Sequence, residues 1–349
     1  MWLSGIAVCG ALLVTASPSS ADGRAARCSE QSYPVQLAQG ERTLRGTLCR
    51  PARDRRPVAT LLLVHGSTYD RVYWDLPIKP ARYSFLRRSA AAGYVTVAID
   101  KLGSGESDRP PAADVTPEAS ASALSQVISA LRAGVATTTT SQMVFAVGHS
   151  SGSTLILREA AQHDDVDGLV VTGFLHNAGP GASFYASLLH PAAEDPAFRD
   201  DPTLPLGYVT TRPGMRSVFY YGFNAEERVL DADEATKDVL PGGDVSVVDE
   251  RNTGFFAAQI DTPVLAVVGG RDSAFCSPPS CPEAGREAAF YPASASVRVV
   301  VQPQTGHNLN LHRSAPCTSD LILGWVAQRV GRNDPRTRCV QRRGGVRAR

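Results

Sequence analysis

The residues best suited to chemistry lie in the run Val144-Phe-Ala-Val-Gly148-His149-Ser150-Ser151-Gly152-Ser153. A short apolar stretch ends in Gly-x-Ser-x-Gly, and a helix-forming stretch follows. That order predicts a strand, a sharp turn and a helix, with the serine hydroxyl exposed at the turn. Gly148 and Gly152 suit the turn, because side chains there would crowd it. The helix opening near Ser151 would aim free N–H groups and the positive end of its dipole at the same point. Ser150 is therefore read as a nucleophile. A serine hydroxyl attacks poorly at neutral pH unless a base takes its proton and a carboxylate orients that base. Two later loops offer both. Gly269-Gly270-Arg271-Asp272 follows one apolar run, and Gln304-Thr-Gly306-His307-Asn308-Leu309 follows the last.

The order Ser150, Asp272, His307, each after a predicted strand, resembles the α/β-hydrolase family. The resemblance runs from about Tyr33 to Val330. His65-Gly66-Ser67 is similar to the family's H-G-x loop, and Gly306-His307-Asn308-Leu309 is similar to its terminal histidine pattern. Asp100-Lys-Leu-Gly103-Ser-Gly105-Glu-Ser107 is similar to a turn often written D-x-R-G-x-G-x-S, with Leu102 in place of arginine. The resemblance implies that the N–H groups of Ser67 and Ser151 form the oxyanion hole, since an anionic tetrahedral intermediate requires two aimed donors. Ser153 stands where relatives often carry another glycine, an exchange expected to loosen helix–strand packing slightly. Asp100 is read as a structural turn residue. Some relatives place their acid after the strand at 168–175, but His176-Asn177 supplies no carboxylate there, which leaves Asp272. Of the other histidines, His149 should point beneath the turn, His65 belongs to the oxyanion loop, and His312 lies past the histidine loop.

These loops need a scaffold to bring them together. Val35–Ala38 and Leu44–Leu48 alternate around Gly40-Glu41 and predict an antiparallel hairpin, after a lead at 22–32. Continuous apolar runs at 59–64, 94–99, 144–148, 168–175, 262–268 and 296–301 predict buried strands. Helices are expected over Arg82–Ala92, Pro117–Arg132 with Thr116 as N-cap, and roughly Asp320–Val330. Strands alternating with helices imply an α/β fold with a mostly parallel sheet, its site at the strands' carboxyl ends. The regular pattern breaks at 178–256. That segment holds 10 of the chain's 21 Phe and Tyr residues. It is read as a lid inserted between the core parts 22–177 and 257–330. Phe219, Tyr220 and Phe223 are its candidate substrate-binding residues.

Hydrophobic residues make up 43% and charged residues 20% of the 349, ordinary for a globular protein. Net charge is +1, unevenly placed. Residues 329–349 carry eight arginines and one aspartate, a balance of +7 that leaves −6 for the rest. A mildly acidic body with a basic tail at 331–349 does not read as a nucleic-acid binder. Ile6–Ala16 is apolar but too short to span a bilayer, so 1–21 reads as a cleavable export signal, and no membrane insertion is expected. Cleavage would leave six cysteines, an even count that suggests disulfides in an exported chain. The hairpin register places Cys28 near Cys49. Cys276–Cys281 and Cys317–Cys339 are the further expected pairs. The competing pattern bridges Cys276 or Cys281 to Cys317.

The reading is thus a secreted serine hydrolase acting on an ester, lactone or amide of a small apolar molecule, with no metal or organic cofactor. Other uses that the resemblance allows for the same triad are C–C bond hydrolysis, cofactor-free perhydrolysis and hydroxynitrile cleavage. A non-catalytic ligand-binding protein on the same fold is the alternative of a different class.

Overall fold

A computed structural model describes residues 26–52, 57–134, 143–243 and 250–332. The export signal, the linker at 137–140, Cys339 and nearly all of the basic tail lie outside them. The strands are β1 (Arg27–Leu37), β2 (Gly40–Arg50), β3 (Thr60–Val64), β4 (Val95–Ile99), β5 (Val144–His149), β6 (Gly168–Thr172), β7 (Leu189–Pro191), β8 (Tyr208–Thr211), β9 (Leu240–Pro241), β10 (Val264–Gly269) and β11 (Val297–Gln302). The α-helices are α1 (Pro80–Tyr83), α2 (Phe85–Ala91), α3 (Pro117–Arg132), α4 (Ser151–His163), α5 (Ala182–Ser187), α6 (Glu227–Ala235), α7 (Glu250–Ala257) and α8 (Ala315–Arg329).

Eight strands form one sheet in the order β1-β2-β4-β3-β5-β6-β10-β11. The β1–β2 and β2–β4 pairs are antiparallel, and every other neighbour is parallel. Strands β3 to β6 and β10 are buried at every position, as their unbroken Val, Leu, Ile and Ala runs require when helices cover both faces. Alternation divides each run. Leu62 and Val64 pack with Leu124 and Val127 of α3 and Leu155 and Ile156 of α4. Leu61 and Leu63 pack on the other face with Phe85 and Leu86 of α2 and Ile322 and Trp325 of α8. Each such side chain contributes about 1.5–3 kcal/mol by leaving water. No helix of the described residues is long and apolar enough to cross a membrane.

Local signals set several boundaries. Thr116 caps α3, its hydroxyl accepting from Ala119 N–H at 3.2 Å. Ser84 caps α2 and splits the single helix expected at 82–92 into α1 and α2. The lead expected at 22–32 is partly strand, because β1 starts at Arg27 and pairs with β2 as far as Arg50. Ser153 does not loosen α4. Its hydroxyl donates to Thr172 O at 3.0 Å and accepts from Thr172 N–H at 3.1 Å, so it joins the helix to β6.

Between β6 and β10 the segment 178–256 carries α5, a small antiparallel sheet β7-β8-β9 and α6. Among the described residues its backbone bonds to the core at several places, including Asn224 O, which accepts from Arg313 N–H at 2.8 Å. Gly179 and Gly181 N–H reach Ala274 and Ser273 O, Asp238 N–H reaches Thr68 O, and Phe219 O accepts from Asn308 N–H.

Cys28 pairs with Cys49 across the hairpin, and Cys276 with Cys281. The second pair rules out a bridge from either cysteine to Cys317. The expected partner of Cys317, Cys339, lies outside the described residues. Replacing Cys28 and Cys49 together by alanine should cost about 3 kcal/mol by freeing the unfolded chain. Urea denaturation checks this, and an unchanged midpoint would mean that the strand ladder alone secures the hairpin.

Candidate active site

Strand β5 delivers Ser150 to a turn at φ 53°, ψ −120°, a conformation L-residues avoid. The turn closes because both glycines are needed. A Cβ on Gly148 would lie 2.5 Å from Gly152 O, and one on Gly152 would lie 2.4 Å from Val64 O. Ser150 N–H donates to Thr172 O at 2.8 Å and its carbonyl accepts from Ser153 N–H at 2.8 Å. Ser150 is partly exposed between buried neighbours.

Two loops close on this turn. In the first, β3 leads into His65-Gly66-Ser67-Thr68, and a Cβ on Gly66 would lie 3.1 Å from Ser150 Cβ. The loop therefore rests on the serine. His65 donates from Nδ1 to Gly66 O at 2.9 Å and accepts Lys101 N–H on Nε2 at 3.0 Å. Burial, with Lys101 nearby, holds its pKa well below the ordinary value, so it is a neutral strut. Among the described residues, neither Ser67 N–H nor Ser151 N–H has a backbone acceptor. Both are donors left over where a strand turns and a helix begins. Lys101 Nζ donates to Ser151 Oγ at 3.1 Å.

The second loop carries His307. Its Nδ1 donates to Asp272 Oδ2 at 2.8 Å, and Asp272 is fully buried. Asp272 Oδ1 accepts from Ala274 N–H at 3.1 Å, which fixes the carboxylate plane. The His307 ring lies 4.9 Å from the ring of His149, the residue before Ser150. His149 is buried beneath the turn, stacked 4.3 Å from Tyr73, and burial holds its pKa well below the usual value.

Aromatic rings surround His307. Phe219 is 5.8 Å away, Tyr185 5.3 Å and Phe275 5.9 Å. Sequence reasoning does not single out Tyr185 or Phe275, although Tyr185 sits in the aromatic-rich segment and Phe275 three residues past Asp272. Tyr220 packs instead on His312, at 5.3 Å, behind the histidine loop. Phe223 is 91% exposed, and its ring neighbour is Tyr221. His176, which ends the strand run at 168–175, has a partner that its sequence neighbourhood does not announce. Glu287, distant in sequence, accepts from its Nδ1 at 2.7 Å, and both side chains are sealed from solvent. Among the described residues, no group of three or more His, Cys, Asp or Glu is arranged to hold a metal ion.

His312 is not past the loop but underneath it. Nε2 accepts the N–H groups of Gly306 and Tyr221, each at 3.0 Å, and Nδ1 donates to Asn308 O at 2.7 Å. That set requires a neutral ring, and burial lowers the pKa to about 4 from 6.5. The unfolded chain therefore takes up this proton first as pH falls. The stability His312 contributes should be complete above pH 6.5, decline between 6.5 and 4, and level off below. The total is roughly 3 kcal/mol. His312→Gln should flatten the stability–pH curve in that window when followed by denaturant titration; an unchanged slope would refute the assignment.

Residues 61–318 match the alpha/beta hydrolase family. No curated protein matches the sequence. Among solved structures, an esterase from Thermogutta terrifontis is similar at 18% identity and TM-score 0.59, over 86% of this chain and 99% of that one. A carboxyl esterase from Bacillus coagulans is similar at 16% identity and TM-score 0.61, over 86% and 99%. A monoacylglycerol lipase from Paleococcus ferrophilus is similar at 17% identity and TM-score 0.55, over 87% and 99%. At these identities the likeness is one of fold. Since the family match spans most of the sequence and the sheet order and the Gly-x-Ser-x-Gly turn between strand and helix agree with it, the chain belongs to the alpha/beta hydrolase family.

Proposed function

We propose that this protein is a serine hydrolase that cleaves a carboxylic ester of a small apolar molecule through an acyl-enzyme. The observation that carries the reading is Ser150, held at positive φ beside two N–H groups without backbone acceptors. A strained serine facing unspent donors suits an anionic tetrahedral intermediate. In this reading Ser150 Oγ attacks the carbonyl carbon, and His307 Nε2 takes its proton. Asp272 holds the proton on Nδ1 and stabilises the imidazolium that results. The N–H groups of Ser67 and Ser151 receive the developing oxyanion. Collapse expels the alcohol, protonated by His307. Water activated by the same nitrogen then attacks the acyl carbon and releases the acid.

The segment 178–256 acts in this reading as a lid, and the rings of Phe219, Tyr185 and Phe275 form an apolar collar around His307. Such a collar favours an apolar acyl or alcohol group. Each methylene it buries is worth roughly 0.8 kcal/mol, close to fourfold in binding. Two disulfides and an apolar N-terminal run support an exported protein working in an oxidising compartment.

Ser150→Ala should fold and lose about four to six orders of magnitude in turnover of p-nitrophenyl acetate. Ser151→Ala should keep far more, because its assigned contribution is a backbone N–H. Equal losses would displace Ser150 as the nucleophile, and failure of wild-type Ser150 to react with a fluorophosphonate would favour a binding protein. On p-nitrophenyl esters of rising chain length, kcat/KM should climb for the first few carbons and then fall. Phe219→Ala should move that optimum while changing the acetate ester by less than about threefold; a uniform loss on every ester would make Phe219 core packing only.

A further inference from the structure

We propose that Arg216, contributed by the inserted segment, is a positioning residue that fixes Thr68 and thereby aims the Ser67 N–H at the oxyanion. The inference rests on the ester-hydrolase reading of the same site.

Arg216 is 1% exposed. A buried guanidinium is costly unless its donors are used. One is used on Asp233 Oδ1, at 3.0 Å. The other terminal nitrogen reaches Thr68 O at 3.2 Å, Thr68 Oγ1 at 3.0 Å and Thr211 Oγ1 at 2.7 Å. An arginine kept only to neutralise Asp233 would not need both polar groups of Thr68. The guanidinium also lies 4.0 Å over the ring of Tyr69.

Thr68 is the residue whose conformation needs holding. It sits at φ 56°, the left-handed region that a β-branched side chain avoids. It immediately follows Ser67. On the near side of Ser67 the chain is fixed by Gly66 packing on Ser150. On the far side Thr68 O accepts from Arg216 and from Asp238 N–H at 3.0 Å, and Thr68 Oγ1 accepts from Thr211 at 3.1 Å. Every one of these far-side bonds comes from the inserted segment.

The same cluster reaches the histidine loop. Tyr69 donates its hydroxyl to Asp233 Oδ2 at 3.3 Å and accepts from Asn308 Nδ2 at 2.7 Å. Asn308 follows His307. Arg216 and Asp233 thus lie at the centre of one hydrogen-bonded unit that spans the oxyanion loop and the histidine loop. Lysine cannot replace the arginine, because a single ammonium cannot span Asp233 and Thr68 with separate nitrogens.

The test compares Arg216→Lys, Thr68→Gly and the double variant with wild type on p-nitrophenyl acetate. It also measures affinity for a simple alkyl boronic acid, whose tetrahedral serine adduct needs the oxyanion donors. Folding is followed by near-UV circular dichroism. Arg216→Lys should lower kcat by about 10- to 100-fold with KM within about threefold, and weaken boronate binding by the same factor. Glycine adopts the left-handed conformation without a clamp, so the lysine substitution should cost at least about threefold less in the Thr68→Gly background. If Arg216→Lys does not fold, Thr211→Val decides. It should lower kcat by about three- to tenfold at unchanged KM. A folded Arg216→Lys with kcat within about twofold of wild type overturns the proposal, as does an equal loss in both backgrounds. Unchanged kcat in Thr211→Val, where that variant decides, overturns it too. Ser150→Ala, run alongside, reports on the nucleophile alone. If it stays active the Ser150 acyl-enzyme reading fails, whereas an inactive Ser150→Ala with an unaffected Arg216→Lys removes only the clamp.

Discussion

One backbone conformation organises the molecule: Ser150 at positive φ between a strand and a helix. Such a residue costs on the order of 1–3 kcal/mol, and it persists only where its surroundings leave no alternative. Here the constraint comes from both sides. Strand β5 is buried in the middle of the sheet, hydrogen-bonded to β3 and β6, so the turn cannot relax downward. Helix α4 is held to β6 by the two bonds of Ser153 with Thr172, so the turn cannot unwind upward. Gly148 and Gly152 let the two arms approach until only hydrogen atoms fit between them. The strain is supported by burying large apolar residues on both faces of the sheet.

In the proposed mechanism the partners of Ser150 stand on loops. Loops are the parts of a fold with the fewest packing constraints. In this chain the inserted segment supplies the missing restraint. It bonds to the Asp272 loop through Gly179 and Gly181, to the Ser67 loop through Asp238 and Arg216, and to the His307 loop through Phe219. A segment that looks from sequence like a cover is therefore also part of the frame. Phe219 belongs both to this frame and to the proposed apolar collar around His307.

The sheet and its helices are legible in the sequence because their signals are local. Unbroken Val-Leu-Ile runs mark doubly buried strands, and Thr116 ahead of Pro117 marks a helix start within one residue. Gly-x-Ser-x-Gly is legible because its backbone demand writes itself into glycine. The order of Asp272 and His307 along the chain needs only the positions of strand ends. What is not legible depends on side chains meeting across the fold. Nothing near His176 announces Glu287, more than a hundred residues away, and nothing near Thr68 announces Arg216. Tyr220 and Phe223 illustrate the same limit. Aromatic density points to the segment, but whether a ring faces a pocket, a loop or water depends on a chain path of short 3-10 turns that has no periodic signal. Tyr220 lies at the back of the histidine loop and Phe223 in solvent.

Four histidines gather at the candidate site, and three of them act as struts. His65, His149 and His312 all surround the candidate machinery, and burial depresses the pKa of each. A neutral imidazole offers one donor and one acceptor at fixed directions, which suits it to brace a loop from inside. His65 braces the oxyanion loop against Lys101, and His312 braces the histidine loop against Tyr221. His307 differs from these three in one respect that matters: its Nδ1 meets a buried carboxylate rather than a neutral hydrogen-bonding partner. In the proposed mechanism, the choice of His307 as base among these four histidines rests on where one aspartate points.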